Sequence, residues 1–287
     1  MRRCYNRRVI QEGAQRGVTA FDADKYGPWA VITGGSEGVG RCFARRLAAA
    51  GVNLLLIARK SGPLDECAEL CRAHGVEVRT LSTDLAEPSA AAAVAAAVAD
   101  VEVGLLVHNA GANTHSAQFL DGDLAAFQRV IDLNITTPLA LVHHFGAAMR
   151  NRRRGGILLV GSLAGYLGSN RHTVYGGVKA FGRIFAESLW LELRDHDVDV
   201  LELVLGVTRT PAMDRVGLNF DIPGLAVSDP DDVAAEGLAA LGQDPVHVVS
   251  QHARVAHAHN DPDRAATILR TDKMMRQLMG STEGSAQ

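Results

Sequence analysis

Tyr175 and Lys179 stand four residues apart in the run Val174-Tyr-Gly-Gly-Val-Lys179, and Ser162 lies thirteen residues earlier in Val160-Gly-Ser-Leu-Ala-Gly165. Four residues is about one helical turn, so on a helix the phenol and the ammonium share a face. A phenol titrates near ~10, too high for efficient proton transfer at neutral pH, and a neighbouring cation favours the phenolate. Such a pair suits general acid/base work. Ser162 adds a hydroxyl donor for an oxygen on which negative charge develops. Tyr-x-x-x-Lys also arises on ordinary amphipathic helices, so its meaning depends on what holds it.

The elements that must position these groups are readable as alternating strands and helices. Ala30-Val-Ile-Thr-Gly-Gly-Ser-Glu-Gly-Val-Gly40 is an apolar run that breaks into glycines and resumes as the helical pattern Cys42-Phe-Ala-Arg-Arg-Leu-Ala-Ala-Ala50. Glycines at 34, 38 and 40 let backbone N–H groups approach a ligand, and the helix that follows directs its positive dipole end to the same place, which suits a pyrophosphate. Val103-Gly-Leu-Leu-Val-His-Asn-Ala-Gly111 is a second apolar strand ending in small residues. Strands are expected near 29–33, 53–58, 77–82, 103–108, 156–161, 198–205 and 246–250, with helices between them. Runs such as Val52-Asn-Leu-Leu-Leu-Ile-Ala58 and Val198-Asp-Val-Leu-Glu-Leu-Val-Leu205 suit strands covered on both faces. The expected fold is α/β, a doubly wound parallel sheet in a single domain. Residues 1–26 read as an N-terminal extension, 27–261 as the domain, and 262–287 as a closing amphipathic helix and tail.

In chain order the sequence presents Thr-Gly-x-x-x-Gly-x-Gly, Asn109-Ala-Gly111, Asn134 within a long helical pattern, Ser162 and Tyr175-x-x-x-Lys179. This set resembles the short-chain dehydrogenase/reductase family over roughly residues 27–250, and the resemblance implies a Rossmann-like fold. It implies a catalytic set of Asn134, Ser162, Tyr175 and Lys179. Tyr175 would exchange a proton with a substrate oxygen as hydride moves to or from a nicotinamide, and Ser162 would hydrogen-bond that oxygen. Lys179 would lower the Tyr175 pKa and bind the nicotinamide ribose, while Asn134 would hold a water linking Lys179 to solvent. Asn134 lies four residues before Pro138, whose ring conflicts with a helical bond to the carbonyl four back. The cofactor would also meet Gly34, Ser36, Gly38, Val39, Gly40, Asp84, Leu85, Asn109, Ala110, Gly111, Gly206, Thr208 and Thr210. Where the family often has Pro-Gly after the sixth strand, this chain has Leu205-Gly206.

The end of the second expected strand is Ala58, followed by Arg59 and Lys60. NAD-preferring sites usually place an acid there. Arg59 instead can meet a 2′-phosphate in bidentate fashion, so the expected cofactor is NADP(H). Glu37 in the glycine turn works against this, and Ser36 beside it can offer a hydroxyl.

The segment from Pro211 to about Ser228 carries Met213, Leu218, Phe220, Ile222 and Leu225 and is expected to cover an apolar ketone or alcohol. The opening Tyr26-Gly-Pro-Trp-Ala30 resembles that of reductases acting on hydroxysteroids and long-chain 3-oxoacyl thioesters. Two other readings of the fold stay open: a cofactor-binding regulator without catalysis, and a dehydratase or epimerase.

With 29 basic and 32 acidic residues the net charge is −3, so no basic field directs the chain to nucleic acid. Arg152-Arg-Arg154 suits a helix C-terminus. Cys4, Cys42, Cys67 and Cys71 form no disulfide framework and fit a reducing compartment. No apolar run is long enough to span a membrane and the start has no signal-like core, so a soluble cytoplasmic protein is expected. His247, His252, His257 and His259 lack acidic or thiol partners at ligand spacing, and no metal is expected. Apolar residues beyond one stripe in Phe181 to Leu193, notably Phe185, Leu189 and Trp190, predict a homo-oligomer, a dimer or tetramer.

Overall fold

The computed structural model describes residues 21–215 and 217–278, the side chains of 275–278 excepted. In chain order the elements are α1 (Ala23–Tyr26), β1 (Trp29–Thr33), α2 (Gly38–Ala49), β2 (Asn53–Ala58), α3 (Ser61–Arg72), β3 (Val78–Ser82), α4 (Ala90–Ala97), β4 (Val103–His108) and α5 (Leu124–Ile131). After a π-helical turn at Asp132–Thr136 come α6 (Thr137–Arg152), β5 (Gly155–Ser162), α7 (Thr173–Leu193), β6 (Val198–Leu205), α8 (Pro211–Arg215), α9 (Pro230–Ala240), β7 (Val246–Val248), α10 (Ala253–His259) and α11 (Arg264–Leu278). All seven strands are parallel, in the order β3-β2-β1-β4-β5-β6-β7.

The continuous apolar runs follow from burial on both faces. Every residue of β1 is buried: Ala30 and Ile32 face a core built with α2, α3 and α9, while Trp29 and Val31 face one built with α4, α6 and α7. Because side chains alternate, the two faces of each strand can be followed separately. Strand order reverses between β1 and β4, which opens a crevice at the carboxyl ends of the strands where ligands bind in such sheets.

Three expectations need adjustment. The packed domain begins before residue 27, because Phe21 and Tyr26 join the core beneath the sheet and the Tyr26 hydroxyl donates to Asp199 Oδ2 at 2.5 Å. The alanine-rich run Ala86 to Ala99, in which Pro88 suits a first helical turn, forms a helix that starts only at Ala90 and leaves Pro88 outside it. Phe185, Leu189 and Trp190 pack against the core on the α7 side. The apolar excess on α7 is carried instead by Phe181, Ile184 and Leu191, at 39%, 56% and 62% exposure.

Candidate active site

The site forms where the carboxyl ends of β1, β4, β5 and β6 meet α2 and α7. Gly34 and Gly38 have φ values of +68° and +55°, the left-handed region that glycine occupies without strain. Gly40 lies so close to the Gly34 carbonyl that a β-carbon there would collide with it. The turn is closed from β4: Asn109 Nδ2 donates to Gly34 O at 3.0 Å, and the Ala110 amide donates to Thr33 Oγ1 at 3.0 Å. Glu37 precedes α2 without capping it through its side chain, so the first-turn amides stay available to an anion. Val39 and Ser36 are buried in the turn. These residues fit a dinucleotide's pyrophosphate.

Thr210, from the segment after β6, sits over Gly38; its Cγ2 would stand 3.1 Å from a β-carbon there. Thr208 is buried and paired across from Ser228. Gly206 has no side chain because the His252 ring occupies that space, and His252 Nε2 shares a 2.8 Å hydrogen bond with Ser228 Oγ. His252 and Ser228 therefore support the chain that runs from Gly206 to Thr210 over the glycine turn. Sequence reasoning missed this pair, whose members are 24 residues apart and meet only through the fold.

After β3 Asp84 is engaged by Arg129 at 2.8 Å and by the Ala86 amide at 3.0 Å, and the Leu85 carbonyl accepts from Thr137 Oγ1 at 2.6 Å. Arg59 and Lys60 are exposed beside the glycine turn. Arg215 of α8 pairs with Glu37 through both terminal guanidinium nitrogens, one at 3.0 Å. That pairing holds the Glu37 carboxyl below its ordinary range, with smaller help from Lys60 and Arg59.

Ser162 ends β5, and its Oγ accepts from the Ala164 amide at 3.1 Å within a 3₁₀ turn at Leu163–Gly165. A β-carbon at Gly165 would stand 2.7 Å from the Lys179 carbonyl carbon, so this turn packs directly on the α7 backbone. That contact brings Ser162 beside Tyr175, where its hydroxyl favours the phenolate. Lys179 lies one turn on, its ammonium 5.8 Å from the Tyr175 ring centroid. The sequence expectation of a Tyr175 pKa lowered by Lys179 is not met in the ligand-free chain. Burial pushes the phenol up, and the Ser162 hydroxyl opposes the rise. Burial likewise pushes Lys179 down to about 8, against the influence of Glu202.

Asn134 lies in the π turn, where the Thr137 amide bonds to the Asp132 carbonyl and Pro138 has no N–H to give. Its Nδ2 donates to Val130 O at 2.8 Å and Ala112 O at 3.2 Å, so Oδ1 is directed toward Lys179. A β-carbon at Gly111 would stand 2.8 Å from Lys179 Nζ and 2.9 Å from Asn134 Oδ1. Of the C-terminal histidines, His247 pairs with Glu236 at 2.6 Å and His252 with Ser228.

The family model described as short chain dehydrogenase matches residues 28–219. A 7β-hydroxysteroid dehydrogenase of Clostridium sardiniense is 29% identical over 257 residues, 89% of this chain and 98% of the relative. A very-long-chain 3-oxoacyl-CoA reductase of Podospora anserina is 32% identical over 226 residues, 77% of this chain but only 65% of the relative. Among solved structures, one concerned with 7β-hydroxysteroid dehydrogenase stereoselectivity superposes with a TM-score of 0.80 at 26% identity, covering 88% of this chain and 98% of the other. A Sphingobium yanoikuyae short-chain dehydrogenase in complex with NADPH superposes with a TM-score of 0.71 at 27% identity, covering 90% and 98%. The protein is an oxidoreductase of the short-chain dehydrogenase/reductase family.

Proposed function

We propose that this enzyme interconverts a ketone and a secondary alcohol on a largely apolar substrate of the steroid or 3-oxoacyl class, using NADP(H). The observation that carries the reading is Tyr175 buried beside Ser162 with Lys179 one turn away, next to a glycine cradle fit for a pyrophosphate. The cofactor supplies or accepts the hydride. Ser162 and Tyr175 hold the substrate oxygen, and Tyr175 gives it a proton in reduction or removes one in oxidation. Lys179 offsets the cost of the phenolate that Tyr175 becomes.

NADP(H) is favoured by Arg59 and Lys60 at a strand end that lacks an acid, with Arg215 neutralising Glu37. Solved relatives carry NADPH or NADP. The apolar substrate class is favoured by the 211–228 segment, where Met213, Leu218, Ile222 and Leu225 are half-buried and Phe220 lies under Arg209, 4.4 Å from its ring centroid. Named relatives act on a hydroxysteroid or an oxoacyl thioester.

Steroid, acyl-thioester, polyketide-like and simple ketones, each offered with NADPH and with NADH, test the assignment by cofactor consumption. Turnover of an apolar ketone with NADPH is the expected result; tight cofactor binding with no turnover of any would favour a regulator. The exposed Phe181, Ile184 and Leu191 on α7, with Leu124 of α5 at 72% exposure, favour a second copy of the chain as their cover. Light scattering at micromolar concentration should give a dimer or tetramer, and a monomer would refute it.

A further inference from the structure

The sheet face beneath α7 is apolar along most of its length, with Val198 and Val200 on β6 and Leu106 on β4. One cross-strand row departs from this. Thr33, His108, Leu159 and Glu202 are registered neighbours across β1, β4, β5 and β6 at the end where Lys179 lands. His108 and Glu202 are only 6% and 2% exposed. Room for the Glu202 carboxylate comes from two glycines: a β-carbon at Gly161 would stand 2.5 Å from Glu202 Oε1, and one at Gly182 3.2 Å. An ionisable group in such a place is costly unless something satisfies it.

His108, Asn134, Lys179 and Glu202 line one narrow, partly open cavity of about 30 Å³, enough for one or two water molecules. Three of them each leave a buried polar atom without a protein partner: His108 Nε2, Asn134 Oδ1 and Glu202 Oε2. Unsatisfied atoms converging on a small cavity make a water site. Lys179 Nζ donates to Val160 O at 3.1 Å, and an ammonium has further protons to give.

We propose that Glu202 is a positioning residue of this site: through water shared with His108 and Asn134, its carboxylate holds Lys179 in place as the ammonium. The inference rests on the functional reading above only where it says that Lys179 serves Tyr175. The charged groups acting on Glu202 are Lys179, Arg183 and Glu187, all on α7. Burial pushes Glu202 up to about 7, opposed by Lys179 and then by Arg183, while Glu187 adds to the rise. His108 is held neutral, pushed down to about 3 by burial and next by Lys179, so it bonds to the water without supplying charge. The countercharge on this side of Lys179 is therefore Glu202.

The test is a titration of the full chain without cofactor, following lysine side-chain ¹³Cε resonances and the Glu202 ¹³Cδ resonance by NMR. In the wild type the Lys179 signal should show a second, smaller inflection where Glu202 titrates; a single inflection overturns the proposal without any variant. In Glu202→Gln the Lys179 midpoint should fall by about one pH unit, and Glu202→Asp should recover at least half of that fall. The alkaline limb of kcat for a ketone substrate should move by the same amount and in the same direction. An unmoved midpoint in Glu202→Gln, or equal midpoints in the Gln and Asp variants, would overturn it. If no ketone is turned over, the functional reading fails, while the NMR titration still decides the role of Glu202.

Discussion

The two ends of the site are built on opposite principles. At the catalytic end Ser162, Tyr175 and Lys179 are fixed by backbone packed on backbone, the Gly165 turn against α7, and burial moves the ionisable groups away from their ordinary values. At the end proposed to meet the cofactor's ribose Arg59 and Lys60 are exposed, and the Arg215–Glu37 pair bridges two surface segments. Buried groups interact strongly and answer to pH; exposed charges interact weakly and answer to salt. On the proposed function, the chain separates turnover, which needs a desolvated proton donor, from cofactor choice, which needs only a local field.

The largest expected effect lies at the catalytic end. Tyr175→Phe removes the proton donor and little volume, so turnover should fall by about 10²–10⁴-fold while cofactor affinity, read by calorimetry, stays within error. A variant keeping a third of wild-type turnover would sink the assignment.

At the ribose end Ala58→Asp/Arg59→Ile should abolish the preference for NADPH over NADH. One opposed charge near ~5 Å is worth roughly 3 kcal/mol at an effective dielectric of ~20, and solvent screening of exposed Arg59 reduces this to about a ten- to hundredfold preference. Comparing kcat/KM for both cofactors measures it; a wild type indifferent to the 2′-phosphate, or a double variant with unchanged preference, would contradict this account of the strand end.

The contrast between pH and salt can itself be broken. His108 has a folded pKa pushed down to about 3 from 6.5, principally by burial. The native state therefore takes up its proton later than the unfolded chain. Its stabilising contribution is complete above pH 6.5 and is lost as pH falls toward 3. The loss should approach ~1.4 kcal/mol per pH unit. Melting temperatures between pH 7 and 4.5 should decline less steeply in His108→Asn; parallel curves would show that this histidine does not set the acid limit.

The smallest effect belongs to the Arg215–Glu37 pair. Arg215→Ala leaves Glu37 uncompensated beside the cofactor turn and should raise KM for NADPH by no more than about fivefold, consistent with an exposed pair. Salt at 0.5 M should reproduce most of that rise in the wild type and leave kcat unchanged. A kcat that falls with KM would mean the pair also acts on the catalytic end.

What the sequence disclosed follows the range of the interactions. The strands were legible because both faces of the sheet are covered, and β1, β2, β4 and β6 begin and end at the expected residues. Gly34, Gly38 and Gly40 were legible because only glycine tolerates those conformations and approaches, and the Asn134 kink because Pro138 announces it locally. Tyr26-Gly-Pro-Trp-Ala30 resembled the two substrate groups to which named relatives belong. Illegible were contacts between residues far apart in the chain: Arg215 with Glu37, His252 with Ser228 and Gly206, Tyr26 with Asp199. The direction of the Tyr175 shift was also misjudged, since spacing reveals the neighbouring cation but not the depth of burial. Glu202 had a visible signal, an acid in an apolar row, and its importance depends on which helix lies above it.

The glycines that flank Glu202 also constrain which substitutions this sequence can accept. An alanine at 161 would place its β-carbon 2.5 Å from the carboxylate, and one at 182 would crowd it at 3.2 Å. A side chain at either position and an acid at 202 therefore compete for the same space, most severely at 161. Positions 161, 182 and 202 are coupled, so that the effect of changing one depends on the size of the residues at the other two.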